Sequence, residues 1–109
     1  MIENTTDYDN YFLSYSGASL PLRLVSPIAA EEVHNRNTYF GAKVDQNGRI
    51  CLIHKRVYGD IELAHHYRYH NDGWLREADI YGVDDEGMRL QFDRAGNVIG
   101  RTELEPESN

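Results

Sequence analysis

A single cysteine, Cys51, among 109 residues excludes any disulfide within the chain. No stretch approaches the ~20 apolar residues of a membrane-crossing helix. The opening segment, Met1 to Tyr11, is acidic and polar, unlike the basic-then-apolar pattern of a secretory signal. Together these absences point to the cytoplasm. Positive charge is scarce: eleven Lys and Arg stand against eighteen Asp and Glu, a net charge of -7. Bulk attraction to nucleic acid or to an anionic membrane is thereby disfavoured, although a local basic stripe is not. Low-complexity sequence is absent, as are the phosphate loop, the nucleophile elbow, the zincin helix and the dinucleotide fingerprint. The Ser, His and Asp residues show no spacing that singles out a triad. Nothing in the sequence announces catalysis.

What the chain does contain is a turn, repeated. Lys43-Val44-Asp45-Gln46-Asn47-Gly48, Arg68-Tyr69-His70-Asn71-Asp72-Gly73 and Gln91-Phe92-Asp93-Arg94-Ala95-Gly96 share one pattern. A hydrophobe follows each Gly by two positions (Ile50, Leu75, Val98), and the copies stand about two dozen residues apart, as in a run of β-hairpins. A type I turn closed by a left-handed Gly fits each copy, so Gly48, Gly73 and Gly96 should have positive φ. Six strands follow over 38–45, 49–58, 61–70, 74–81, 87–93 and 97–104. Upstream, Tyr11 to Tyr15 and Leu20 to Val25 flank the turn residues Ser16-Gly17-Ala18-Ser19, and Pro21 either places the second strand at an edge or makes it irregular. Ser26-Pro27 offers an N-cap and first helical residue for a short helix that Asn35 to Asn37 would end. The predicted fold is mainly β: one antiparallel meander of about eight strands with one short helix. Its length allows one domain, over 10–104, between polar ends at 1–9 and 105–109 that should be flexible.

The turns also set an expected register. Gly59-Asp60 as a two-residue type II′ turn, with Gly59 first, would set Tyr58 against Ile61, Leu52 against Tyr67 and His54 against His65. With Val44 facing Ile50 and Tyr69 facing Leu75, the rows become Val44-Ile50-Tyr69-Leu75, Ala42-Leu52-Tyr67-Glu77 and Phe40-His54-His65-Asp79. The opposite face then carries Lys43-Cys51-Arg68-Arg76 and Gly41-Ile53-His66-Ala78. Ala78 and Ile80 look better suited to a core than Glu77 and Asp79, so a β-bulge could flip the far half of strand 74–81.

The hairpin cores His66 to Leu75 and Leu90 to Val98 resemble the YD (Rhs-type) repeat, in which an aromatic and an Asp precede two variable residues, a Gly and a hydrophobe. They are also similar to the MORN-like hairpins of some bacterial antitoxin families. Asp45, Asp93, Gly48, Gly73 and Gly96 match, while His70 stands where the repeat has Asp. The resemblance covers 38–104, and three copies are too few to build the enclosing shell of long Rhs proteins. The stretch from Tyr11 to Phe40 resembles a small bacterial family of unknown function.

Three constellations could carry function. His54, His65 and Asp79 in one row would suit Zn or Fe; the plainer account is a hydrogen-bonded polar cluster at the core rim, with no cofactor. His65, His66 and His70 cannot form one site, because alternation sends His65 to the face opposite His66 and His70. Lys43, Arg68 and Arg76 could hold an anion or an acidic partner segment, or else be an ordinary solvated face. Such a stripe should be flanked by acidic residues, Glu62 or residues of the last strands, unless it is itself a contact surface. The same cations would favour the Cys51 thiolate if it were exposed. Eight Tyr and one Trp are many for this length. Tyr39, Tyr58, Trp74 and Tyr81, nearer strand ends, are the candidates for exposure.

The sequence therefore supports a non-enzymatic bacterial binding protein, immunity- or antitoxin-like. Its partner would be another protein, or a second copy, at a sheet face or edge, with no role for membrane or nucleic acid. The alternative is a small metal- or ligand-binding protein using His54, His65 and Asp79.

Overall fold

The computed structural model describes residues 7–82 and 86–104. They form one eight-stranded antiparallel sheet. In chain order its strands are β1 (Asn10–Ser16), β2 (Arg23–Ile28), β3 (Thr38–Val44), β4 (Ile50–Val57), β5 (Asp60–Tyr69), β6 (Leu75–Tyr81), β7 (Gly87–Phe92) and β8 (Val98–Leu104). They lie side by side as β2-β1-β3-β4-β5-β6-β7-β8, a meander with one reversal at its start. β2 is therefore an edge, one of the two alternatives that Pro21 suggested, although the strand begins after that residue and does not contain it. Ser26 and Pro27 belong to β2 rather than to a helix: Pro27 lies across from Phe12, where an edge strand tolerates the missing N–H. The helix that follows is a single 3-10 segment, Ala30–Asn35, with no side-chain cap. Of the two ends expected to be flexible, 1–6 and 105–109 lie outside the described residues. Asp9 is fixed: its N–H donates to the Ala42 carbonyl and its carboxylate accepts from the Val44 N–H.

The three repeated turns have the same construction. Gly48, Gly73 and Gly96 have φ of 80, 97 and 88°. In each copy the Gly N–H donates back to residue 45, 70 or 93, whose own N–H donates to the carbonyl four residues on. Val44 pairs with Ile50, Tyr69 with Leu75 and Phe92 with Val98. The next residue in every copy is an extra one. Lys43 faces Leu52, Arg68 faces Glu77 and Gln91 faces Gly100, leaving Cys51, Arg76 and Ile99 as bulges. Each bulge reverses the parity of the strand beyond it.

That reversal selects the core. Ile53 and Ala78, expected on the outer face, are fully buried and join Leu22, Phe40 and Tyr67. Phe12, Leu20, Leu24, Ile50, Leu63, Tyr69, Leu75 and Phe92 pack around them. The bulge anticipated in strand 74–81 is there, at Arg76, and it turns Glu77 and Asp79 away from the core. The corresponding bulges at Cys51 and Ile99 had no such warning, because no charged residue marked the wrong parity.

Candidate functional site

The β4–β5 hairpin decides the fate of the histidine row. Its turn is Tyr58-Gly59, not Gly59-Asp60. Both residues have positive φ, 50 and 86°, so it is of type I′, and Val57 pairs with Asp60. Glu62 is then an extra residue, since Arg56 faces Ile61 while Lys55 faces Leu63. The net result is a one-residue slip from the expected register. His54 lies across from Ala64, Ile53 from His65 and Leu52 from His66. His54 and His65 therefore point to opposite faces, and Asp79 lies across from His66. The proposed His54, His65 and Asp79 ligand set is not assembled. Among the described residues, no three or more His, Cys, Asp and Glu side chains are grouped to hold a metal ion.

His65 instead belongs to the core side. It is 4 % exposed, and its Nδ1 lies 2.6 Å from the Tyr67 hydroxyl, in hydrogen-bond contact. The same hydroxyl accepts from the Leu22 N–H at 3.0 Å. Burial, with the neighbouring His66 adding to it, lowers the His65 pKa to about 4. Burial likewise pushes the Tyr67 phenol well above its ordinary value. The pair is neutral and structural.

The other face of the sheet carries a layer of buried polar side chains that the assumed register had scattered. Tyr8 lies over Gly41, where a Cβ would sit 2.4 Å from its ring. The Tyr8 hydroxyl is 2.8 Å from His54 Nδ1 and accepts from Arg56 Nε at 3.0 Å. Tyr81, expected to be exposed, is buried against His66. One step along the strands, Arg68 reaches Glu77 (2.5 Å) and Asp79 (2.9 Å). Arg89 grips both oxygens of Asp79, at 2.8 and 3.0 Å, and Gln91 donates to Glu77 at 3.1 Å. Burial alone would raise the Asp79 and Glu77 pKa values. Hydrogen bonds and charge from Arg68 and Arg89, with Gln91 helping at Glu77, outweigh it and hold both carboxyls below the ordinary range. This network satisfies charge within the sheet.

The expected stripe of Lys43, Arg68 and Arg76 is broken up. Lys43 faces Leu52, Arg68 is neutralised by Glu77 and Asp79, and Arg76 is an exposed bulge. The acidic flanks are these two β6 carboxylates; Glu62 pairs elsewhere, with Lys55 at 3.5 Å. Arg68 and Arg76 do share a depression of about 520 Å³ with Arg49 and Cys51. The cations do not activate the thiol there: burial first, then the charge of Asp45, raise the Cys51 pKa. His70 lies in the adjoining turn and its Nε2 donates to the Phe92 carbonyl at 3.1 Å.

A second concavity opens on the core side. About 720 Å³ in volume, it is lined by Leu20, Pro21, Tyr69, Trp74, Leu75 and Phe92 among others. Trp74 is 61 % exposed at its rim, and Val98, also lining it, is 48 % exposed. Sequence position marked Trp74 as exposed; the groove beside it depends on the β1–β2 loop folding onto β6 to β8, which no local pattern reveals.

The model of a family of unknown function, DUF6156, matches residues 4–101. No curated protein and no solved structure matches the chain. Among the described residues no helix is long and apolar enough to cross a membrane.

Proposed function

The chain belongs to that family of unknown function, so its role must be argued from its own surface, and we propose a non-enzymatic binding protein that receives a basic protein partner at the core-side groove. The observation that carries this reading is Trp74. Leaving so large an aromatic in water beside an apolar groove is unfavourable unless something covers it, and Trp is the residue most enriched at the centres of protein interfaces. The charge of -7 gives long-range attraction to a basic partner. An immunity- or antitoxin-like role in the bacterial cytoplasm suits that combination. The common hydrogen bonds, φ and bulge of the three turns support reading 38–104 as a short run of YD- or MORN-like hairpin units, with variable surface displayed on a constant frame.

The test is site-specific photocrosslinking in the native host, with the reactive residue at position 74 or, as control, at Tyr58. Tyr58 is also exposed but sits at the other end of β5, roughly 30 Å away at ~3.3 Å per residue. A basic protein captured at 74 and not at 58, and lost in high salt, supports the reading. No adduct at 74, or equal adducts at both positions, would sink it.

A further inference from the structure

In a protein with seven more acidic than basic side chains, one depression runs the other way. The first and second repeated turns lie side by side because β4 and β5 pair, and the depression between them is lined by Arg49, Arg68 and Arg76 and by a single carboxylate, Asp45. That carboxylate is committed, since its Oδ1 accepts from the backbone N–H groups of Asn47 (2.8 Å) and Arg49 (3.0 Å). Arg68 is committed too, to Glu77 and Asp79. Arg49 and Arg76 remain. Neither forms an ion pair with any described residue.

The two guanidiniums are held in different ways. Arg49 lies over the Tyr69 ring, 5.8 Å from its centroid, and against Gly73, where an added Cβ would come within 3.3 Å of Nη2. A stacked guanidinium has already lost much of its rotamer freedom, so less remains to be lost when it binds. Arg76 is the extra residue of the β6 bulge, and a bulge re-aims the side chain it carries. Its parity would otherwise place it differently.

We propose that this depression is a binding site for a phosphoryl group, with Arg49 and Arg76 as its ligands. Two guanidiniums without counterions repel one another, and an oxyanion between them removes that cost while each donates paired N–H groups to it. A phosphate group offers at least three oxygens to the two guanidinium forks, which a single carboxylate does not, and the volume of about 520 Å³ admits the ester group as well. The depression adjoins the Trp74 groove, with which it shares Tyr69, and its ligand differs in kind from the protein partner proposed there.

Backbone amide NMR of the whole protein, titrated with inorganic phosphate, with glycerol phosphate and with acetate, tests this at constant ionic strength. Saturable shifts clustered at residues 45–51 and 70–76 are expected for both phosphates, with acetate at least ~10-fold weaker. Preference for the monoester would show that the depression also grips the ester group. The R49Q/R76Q variant should lose phosphate affinity by ~10-fold or more, as expected for removal of charge-assisted bonds. Its melting temperature should fall by only a few degrees, because the Arg49–Tyr69 contact is lost but no ion pair is. R101Q, on β8, should bind like the wild type. Shifts that do not saturate, equal response to acetate, or unchanged affinity in R49Q/R76Q would overturn the proposal.

Discussion

Individual residues in this chain act mainly through what their backbone position permits. Gly48 has open space around it, so the cost of Gly48→Ala is that of forcing a Cβ into the left-handed region, about 1 kcal/mol. Gly48→Asn should cost less, because Asn tolerates that region, and urea unfolding of the two variants checks the order. His65 is the residue whose ionisation matters most. Its folded pKa, about 4, is below the ordinary His value of 6.5. The stability it contributes is therefore complete above pH 6.5 and is lost as pH falls from 6.5 towards 4, by up to about 3 kcal/mol. His65→Gln keeps a side chain that can donate to or accept from the Tyr67 hydroxyl and removes the titration, so its stability should fall less steeply than that of wild type between about pH 6.5 and 5. Parallel slopes would show that His65 is not the group responsible. The core positions of Tyr67 and Tyr69 and the turn role of the three glycines were legible in the sequence. The placement of His54 and His65 was not, because it depends on Tyr58 adopting positive φ, which a non-Gly residue rarely advertises.

At the scale of elements, the strands from β3 to β8 begin and end within about a residue or two of where the alternation and the turns put them, as boundary conventions allow. What the alternation could not supply was the parity beyond each turn. A bulge after Ile50, Leu75 and Val98 exchanges the two faces, and only in β6 did the sequence betray it, through Glu77 and Asp79 sitting where Ala78 and Ile80 belonged. The exchange creates the buried ion network joining β5, β6 and β7. Arg89→Met tests its weight: Asp79 would keep Arg68 but lose the two-pronged grip. Breaking a fully buried pair costs 3–5 kcal/mol, and because Arg89 is itself 39 % exposed a loss of about 2 kcal/mol is expected. The Asp79 carboxyl should titrate closer to its ordinary value in the variant, and carboxyl NMR would read that directly. A loss within ~0.5 kcal/mol would mean that solvent already screens the pair.

For the whole molecule, the open sheet leaves two edges, and the chain treats them differently. β2 has Pro27 and a positive φ at Ser26, both of which spoil regular pairing. β8 has the Ile99 bulge and carries Arg101 and Glu103, yet Ile99 is 67 % exposed. Charge supplies the remaining protection, since copies that each carry -7 repel one another. The same excess of carboxylates opposes folding, because compaction brings like charges together. Salt should therefore have two separable effects. Screening the surplus negative charge should raise the melting temperature, because exposed repulsion is screened more than the partly buried Arg68, Glu77, Asp79 and Arg89 pairs. It should also permit edge-to-edge association, which light scattering would detect at high protein concentration and which Ile99→Lys should suppress without lowering stability. A melting temperature that falls with salt would show instead that the ion network outweighs the excess of like charge, and Arg89→Met, which leaves only the Arg68 pairs, would then weaken the salt dependence.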